Sequence, residues 1–176
     1  MPTFSPYTLT LDGKKARVLP AERWFRFLEV IMRPAMGPFR IGAQAPLPGV
    51  ILAREEPNDE TAREEMIHHA QFLELMILFA GVALLGTLGA LVGGWLAWAK
   101  AWMLLTSPLI GVLMVWPVYG LIWLVGLGAR TDADGDGDAD GTDAYYAHLF
   151  EAEAKRHRTE KGYLARRPIF AQFRGL

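Results

Sequence analysis

The chain has 176 residues, carrying 18 Lys and Arg against 19 Asp and Glu, for a formal net charge of −1. That length suits one compact unit and leaves little room for two independent soluble domains. There is no cysteine, which excludes disulfides and thiolate metal sites.

Tyr7 to Leu11 alternates apolar and polar residues, meets Asp12-Gly13, and resumes from Lys14 to Leu19. Asp-Gly between alternating runs predicts a two-residue β-hairpin, since both turn positions need positive φ. Pro20 then opens an expected helix over Ala21–Met32, with Trp24, Leu28 and Ile31 on one face, while Arg23, Arg26 and Arg33 can reach phosphate headgroups. Such a helix suits the surface of a membrane, and the same stripe equally suits packing on the apolar hairpin or on a partner subunit. Gly37 to Pro48, rich in Gly and Pro, reads as loop, and Val50–Ala53 as a short strand.

From Glu60 to Leu75 the sequence reads as a helix leading into an apolar run. At about 100° per residue, Glu64, His68, Gln71 and Leu75 share a face, with Glu65 and Phe72 beside it. A carboxylate and an imidazole one turn apart can ligate the same metal ion, and charged residues at a helix start can equally be a solvated collar. His69 and His148 read as surface or interfacial groups.

Between Phe72 and Ala129 the only charged residues are Glu74, at the edge, and Lys100. A bilayer needs about 20 apolar residues per helical span. Two spans are therefore expected, Leu73–Trp95 and Leu104–Leu127, joined by a turn in which Trp98 and Trp102 flank Lys100 as interfacial residues do. Gly81, Gly86, Gly89, Gly93 and Gly94 would let the first span approach the second closely. Neither span carries an ionisable residue in its interior, which argues against a transporter or proton relay. Nine Lys and Arg precede the first span, eight follow the second and one lies in the turn, so both termini are expected on the cytoplasmic side. The N-terminal residues lack the pattern of a cleaved signal peptide, and the first span is expected to direct insertion itself.

After the spans comes an Asp/Gly run. Counted from Asp132, acidic residues Asp132, Asp134, Asp136 and Asp140 fall at calcium-loop positions, Gly137 stands at the sharp turn and Asp143 closes the loop, with Asp138 between. Position 12 is Asp rather than the usual Glu. Two readings are open, a calcium site and a self-repelling, solvated linker. Tyr145 to Lys155 is again helical in pattern. The basic cluster beyond it, Lys155, Arg156, Arg158, Lys161, Arg166 and Arg167 around His157, suits anionic lipid headgroups. It has no aromatic platform or helix-turn-helix beside it, so nucleic acid is not expected.

The fold class expected is thus a mainly α membrane protein. A cytoplasmic N-terminal region (1–71) holds a β-hairpin, an interfacial helix and the start of the motif helix. A two-helix transmembrane hairpin (72–129), an acidic loop (130–143) and a juxtamembrane C-terminal helix and tail (144–176) follow.

Glu65, Ile67, His68, Gln71, Glu74 and Leu75, followed by an apolar hairpin and then by Phe150, Glu151, Glu153, Ala154, Glu160, Tyr163 and Leu164, resemble a pattern in small uncharacterised bacterial membrane proteins. Those proteins carry HExxH, a hairpin and FExEA, and look like reduced membrane zincin metallopeptidases. The resemblance implies an inner-membrane protein in which His68 and Glu151 are metal ligands and Glu65 is the general base that takes a proton from a coordinated water. It also implies that Val50–Ala53 is the strand edge that holds an extended peptide. The first histidine of HExxH is Glu64 here. A Glu64/His68/Glu151 set binds zinc as a weaker Lewis acid and suits manganese or iron. Three functions follow as expectations: a zincin-like protein with an altered metal site, active or a pseudoenzyme; an accessory subunit of a larger membrane complex; and a calcium-responsive membrane element built on Asp132–Asp143.

Overall fold

The structure, a computed structural model, describes residues 4–36, 42–47, 49–93, 101–115 and 149–174, with 117, 118, 121 and 125. It is mainly helical, with a small β-sheet. The chain divides into two compact units, Met1–Gln71 with Trp123–Leu176, and Phe72–Ile122. The acidic run Asp132–Asp143, His148 and the turn at Trp98–Lys100 lie outside the described residues.

The first unit opens with β1 (Tyr7–Leu11) and β2 (Lys14–Pro20), paired antiparallel from Tyr7↔Val18 to Leu11↔Lys14. Asp12 and Gly13 turn the chain at φ 49° and 77°, the positive values an Asp-Gly hairpin requires. Helix α1 (Glu22–Met36) follows and extends past the expected end at Met32. Strands β3 (Ala43–Leu47) and β4 (Val50–Ala53) form a second antiparallel pair. Because β2 and β4 are parallel, with α1 in the crossover between them, the sheet order is β1-β2-β4-β3.

Two expectations are corrected here. Residues 43–47 form a strand rather than loop. A proline at position 46 lacks an N–H, which restricts β3 to a sheet edge and accompanies the irregular register between Gln44 and Leu47. Conversely, β4 is an interior strand with partners on both sides, so the strand edge expected at Val50–Ala53 is absent.

Helix α2 (Asp59–Val92) starts at Asn58, whose side-chain oxygen accepts from the Thr61 N–H at 2.8 Å, with Asp59 and Glu60 in the first turn. Within the first unit, one face of its early turns buries Met66 and Ile67 against Ala16, Val18, Ile51 and Ala53 of the sheet. Ala154 of α4 (Leu149–His157) and Tyr163 and Leu164 of α5 (Tyr163–Arg166) complete this core. The period-two burial of β2 and β4 therefore meets a helical face from α2 and α4. A 3-10 turn, Ala171–Phe173, ends the described chain segment.

The second unit contains the remainder of α2 and α3 (Ala101–Leu113). Among the described residues, α2 is the one helix long and apolar enough to cross a membrane, and only 6% of its most apolar window is buried. That exposure separates it from the core helix of a soluble protein. A soluble core would cover Ile77, Val82, Leu85 and Val92, which are all exposed. The two helices approach closely at Gly111 of α3, where an added Cβ would stand 2.3 Å from the Phe79 carbonyl oxygen. The close packing expected from Gly81, Gly86 and Gly89 is thus supplied from α3 instead. Apart from their own turns of α2, no described atom lies within 4 Å of a Cβ built at those three glycines.

Candidate metal centre

The helical spacing that places Glu64, His68 and Gln71 on one face of α2 turns them toward α4, within the first unit. Glu151, in the first turn of α4, is 1% exposed and lies opposite His68. The Nε2 of His68 stands 3.3 Å from Oε1 of Glu151. Donor atoms of Glu64, His68 and Glu151 all lie within 4.8 Å of one another, so the three residues could hold a metal ion. Oxygen and nitrogen ligands about 2.0–2.2 Å from a tetrahedral ion stand about 3.3–3.6 Å apart. The His68–Glu151 distance already fits that edge. Glu64, only partly buried, has the freedom to close the remainder.

Electrostatics gather on the same atoms. Burial favours the neutral form of Glu65, and the carboxylates of Glu151 and Glu64 add to this, so its pKa is pushed up to about 8 despite His68 and the Ala45 backbone N–H. Burial alone would lower His68. The charge and hydrogen bond of Glu151 outweigh it, with help from Glu65 and Gln71, and raise the imidazole to about 10. Without a metal, burial thus biases Glu65 toward its neutral form and Glu151 biases His68 toward its charged form. Arg158 approaches Glu64 on its exposed side, Nη1 to Oε2 3.6 Å. The carbonyl of Arg158 in turn accepts from buried Arg63 Nη1 at 2.6 Å, and Arg63 pairs with Asp12 of the hairpin turn at 3.5 Å.

Behind the three candidate ligands lies a buried polar relay. Gln71, 1% exposed, places its Oε1 2.8 Å from Nδ1 of His68. Its Nε2 donates to the Phe150 carbonyl and to Oε2 of Glu153, both at 2.9 Å. Glu153 also accepts from the Tyr163 hydroxyl at 2.8 Å and from Arg167 at 2.6 and 3.0 Å. Burial alone would raise the Glu153 carboxyl, but Arg167, Gln71 and Tyr163 hold it below its ordinary value. Arg167 continues to Gln172 at 2.8 Å.

Several sequence expectations change. Arg167 was assigned to lipid headgroups, yet its side chain is 4% exposed and paired with Glu153. His69 was read as a surface group, yet it is buried and its Nε2 lies 2.7 Å from the Val50 carbonyl, where burial lowers its pKa. His157 does not stand alone in the basic cluster, since it binds Glu160 at 2.6 Å and stacks on Tyr163 at 3.9 Å. The relay through Arg167 was missed because like-charged neighbours resemble a solvated face. Its signal was the pair of buried-pattern residues on α4, Glu151 and Glu153, of which only one can serve as ligand.

No family model, no curated protein and no solved structure matches the chain. The site stands on its geometry.

Proposed function

We propose that the chain is a zincin-like integral membrane protein in which Glu64, His68 and Glu151 bind a divalent transition metal, with Glu65 poised as a base beside them. The observation that carries this reading is the convergence of those three donor sets within 4.8 Å. Two carboxylates and one imidazole make a harder set than two histidines, which favours manganese or iron and also accepts zinc. An ion held there would supply Lewis acidity and would lower the pKa of a coordinated water toward about 7. Glu65, within electrostatic reach of all three ligands, is the group that would take that water's proton, once the charge of a bound cation has offset its burial and left it ionised. The partly buried Glu64 with the half-exposed Arg158 marks the side from which a substrate would enter, and an arginine there suits an anionic one.

The membrane component of the proposal is a pair of spans in the bacterial inner membrane, α2 and the apolar segment that contains α3, with both termini cytoplasmic. Its support is the exposed apolar surface of α2 beyond Phe72, the Gly111 contact and the distribution of Lys and Arg.

The test is hydrolysis of a peptide mixture by metal-loaded protein in detergent, with Glu65→Gln as control. Metal-dependent cleavage that Glu65→Gln abolishes supports a peptidase. Metal uptake with no cleavage by either form assigns a binding pseudoenzyme. A second reading, an accessory subunit of a larger membrane complex, is favoured by the apolar face that α1 leaves exposed at Trp24, Phe27, Val30 and Ile31. It requires no metal, and His68→Ala would then leave assembly intact.

A further inference from the structure

Gln71 contacts both helices that carry the metal centre, His68 on its own α2 and Phe150 and Glu153 on α4. Its amide nitrogen has two protons and two acceptors, the Phe150 carbonyl and the Glu153 carboxylate. Neither acceptor can donate in return. A backbone carbonyl has no proton, and Glu153 is kept ionised by Arg167 at 2.6 Å and by Tyr163 at 2.8 Å. The amide is therefore fixed in one orientation, with Oε1 toward His68. An amide oxygen only accepts, so the 2.8 Å contact requires a proton on Nδ1 of His68. Nε2, which faces Glu151 at 3.3 Å, is then the atom that offers its lone pair to a cation, in exchange for any proton it shares with Glu151.

We propose that Gln71 is a positioning residue that commits His68 to bind metal through Nε2, and that the buried Arg167–Glu153 pair holds Gln71 in the orientation that does so. This rests on the metal-centre reading above. The amide also ties the two ligand-bearing helices together, because Phe150, whose carbonyl it binds, immediately precedes Glu151. The side chains of Glu153 and Arg167 are 5% and 4% exposed, so water does not compete for the relay. Partners that orient a metal-binding histidine typically change affinity by about 10- to 100-fold when removed.

The experiment is a cobalt(II) titration of the full chain in detergent, for wild type, Gln71→Leu and Gln71→Glu. It is joined to histidine 15N spectra of the zinc-loaded proteins. The wild type is expected to show zinc on Nε2 and a slowly exchanging Nδ1 proton. Gln71→Leu is expected to bind cobalt about 10- to 100-fold more weakly and to lose protection of that proton, with helix content unchanged. Gln71→Glu keeps an acceptor for Nδ1–H and, with its buried carboxyl protonated, one donor toward Glu153; it is expected to retain Nε2 coordination, which carries the test if the leucine variant does not fold. Wild-type affinity in folded Gln71→Leu, or coordination through Nδ1 in wild type or Gln71→Glu, overturns the inference alone. A wild-type chain that takes up no cobalt overturns the metal-centre reading beneath it.

Discussion

From Arg63 to Gln71 helix α2 buries a run of polar groups, and in the turns beyond Phe72 it leaves many of its large apolar groups exposed. Arg63, Glu65, His68, His69 and Gln71 are all buried, while Leu73, Ile77, Val82, Leu85 and Val92 are all exposed. A helix in water does neither, since charged groups are rarely buried unless paired and a large contiguous apolar surface marks an interaction site. The first stretch is explained by partners: Asp12 for Arg63, the Ala45 backbone N–H for Glu65, Glu151 for His68, Val50 for His69 and Glu153 for Gln71. The second has no comparable polar network among its described residues, and lipid is the solvent that its surface suits. What one stretch needs is specific geometry. What the other needs is bulk hydrophobicity.

The contrast breaks most severely where a buried partner is removed. Arg167→Ala leaves the Glu153 carboxylate buried beside Gln71, and is expected to cost about 3–5 kcal/mol of stability, read from chemical unfolding of the detergent-solubilised chain. A loss below about 1 kcal/mol would show that the pair is solvated in solution. Next in size, Leu85→Arg places a charge on the exposed face of α2 and is expected to cost about 2.5–3.5 kcal/mol of insertion, read as the fraction resisting alkaline extraction from membranes. Unchanged extraction would remove lipid as the partner of that face.

A subtler probe is pH in the metal-free protein. Glu65 binds its proton up to about 8 when folded, against an ordinary value of 4.5. Between those pH values the folded state holds the extra proton, so stability falls as pH rises. His68, raised to about 10 from 6.5, adds a fall in the same direction above its ordinary value. Glu65→Gln is therefore expected to flatten thermal unfolding midpoints between about pH 4.5 and 6.5, where His68 does not yet contribute. An unchanged slope there would place Glu65 in solvent. Smallest of all, Arg26→Ala breaks an exposed pair with Glu22 and is expected to shift stability by no more than about 0.5 kcal/mol, since water already screens it.

The same contrast explains what was legible in the sequence. Asp12-Gly13 announced its hairpin because turn chemistry is local. The Glu64/His68/Gln71 face was readable because helical spacing alone sets it. The apolar stretch beyond Phe72 was readable as membrane-seeking because bulk composition decides that property. β3 was not legible, because Ala43–Leu47 is short and contains a proline, and only pairing with β4 makes it a strand. Arg167 and His69 were misplaced for a related reason. Whether a charged or polar side chain is buried depends on a partner far along the chain, here Glu153 and Val50, and periodicity does not encode that partner. On α1 the stripe was foreseen, but Phe25, outside it, is the fully buried residue, and Trp24 and Ile31 stay exposed. The Asp132–Asp143 run lies outside the described residues, so calcium binding there rests on spacing alone.

The measurement that bears most directly on the account is the metal content of the purified chain by inductively coupled plasma mass spectrometry, for wild type, His68→Ala and Glu151→Ala. Near-stoichiometric manganese, iron or zinc in the wild type, lost in both variants, is the predicted result. Wild-type protein without transition metal after growth and loading with each of the three would contradict a metal centre at Glu64, His68 and Glu151.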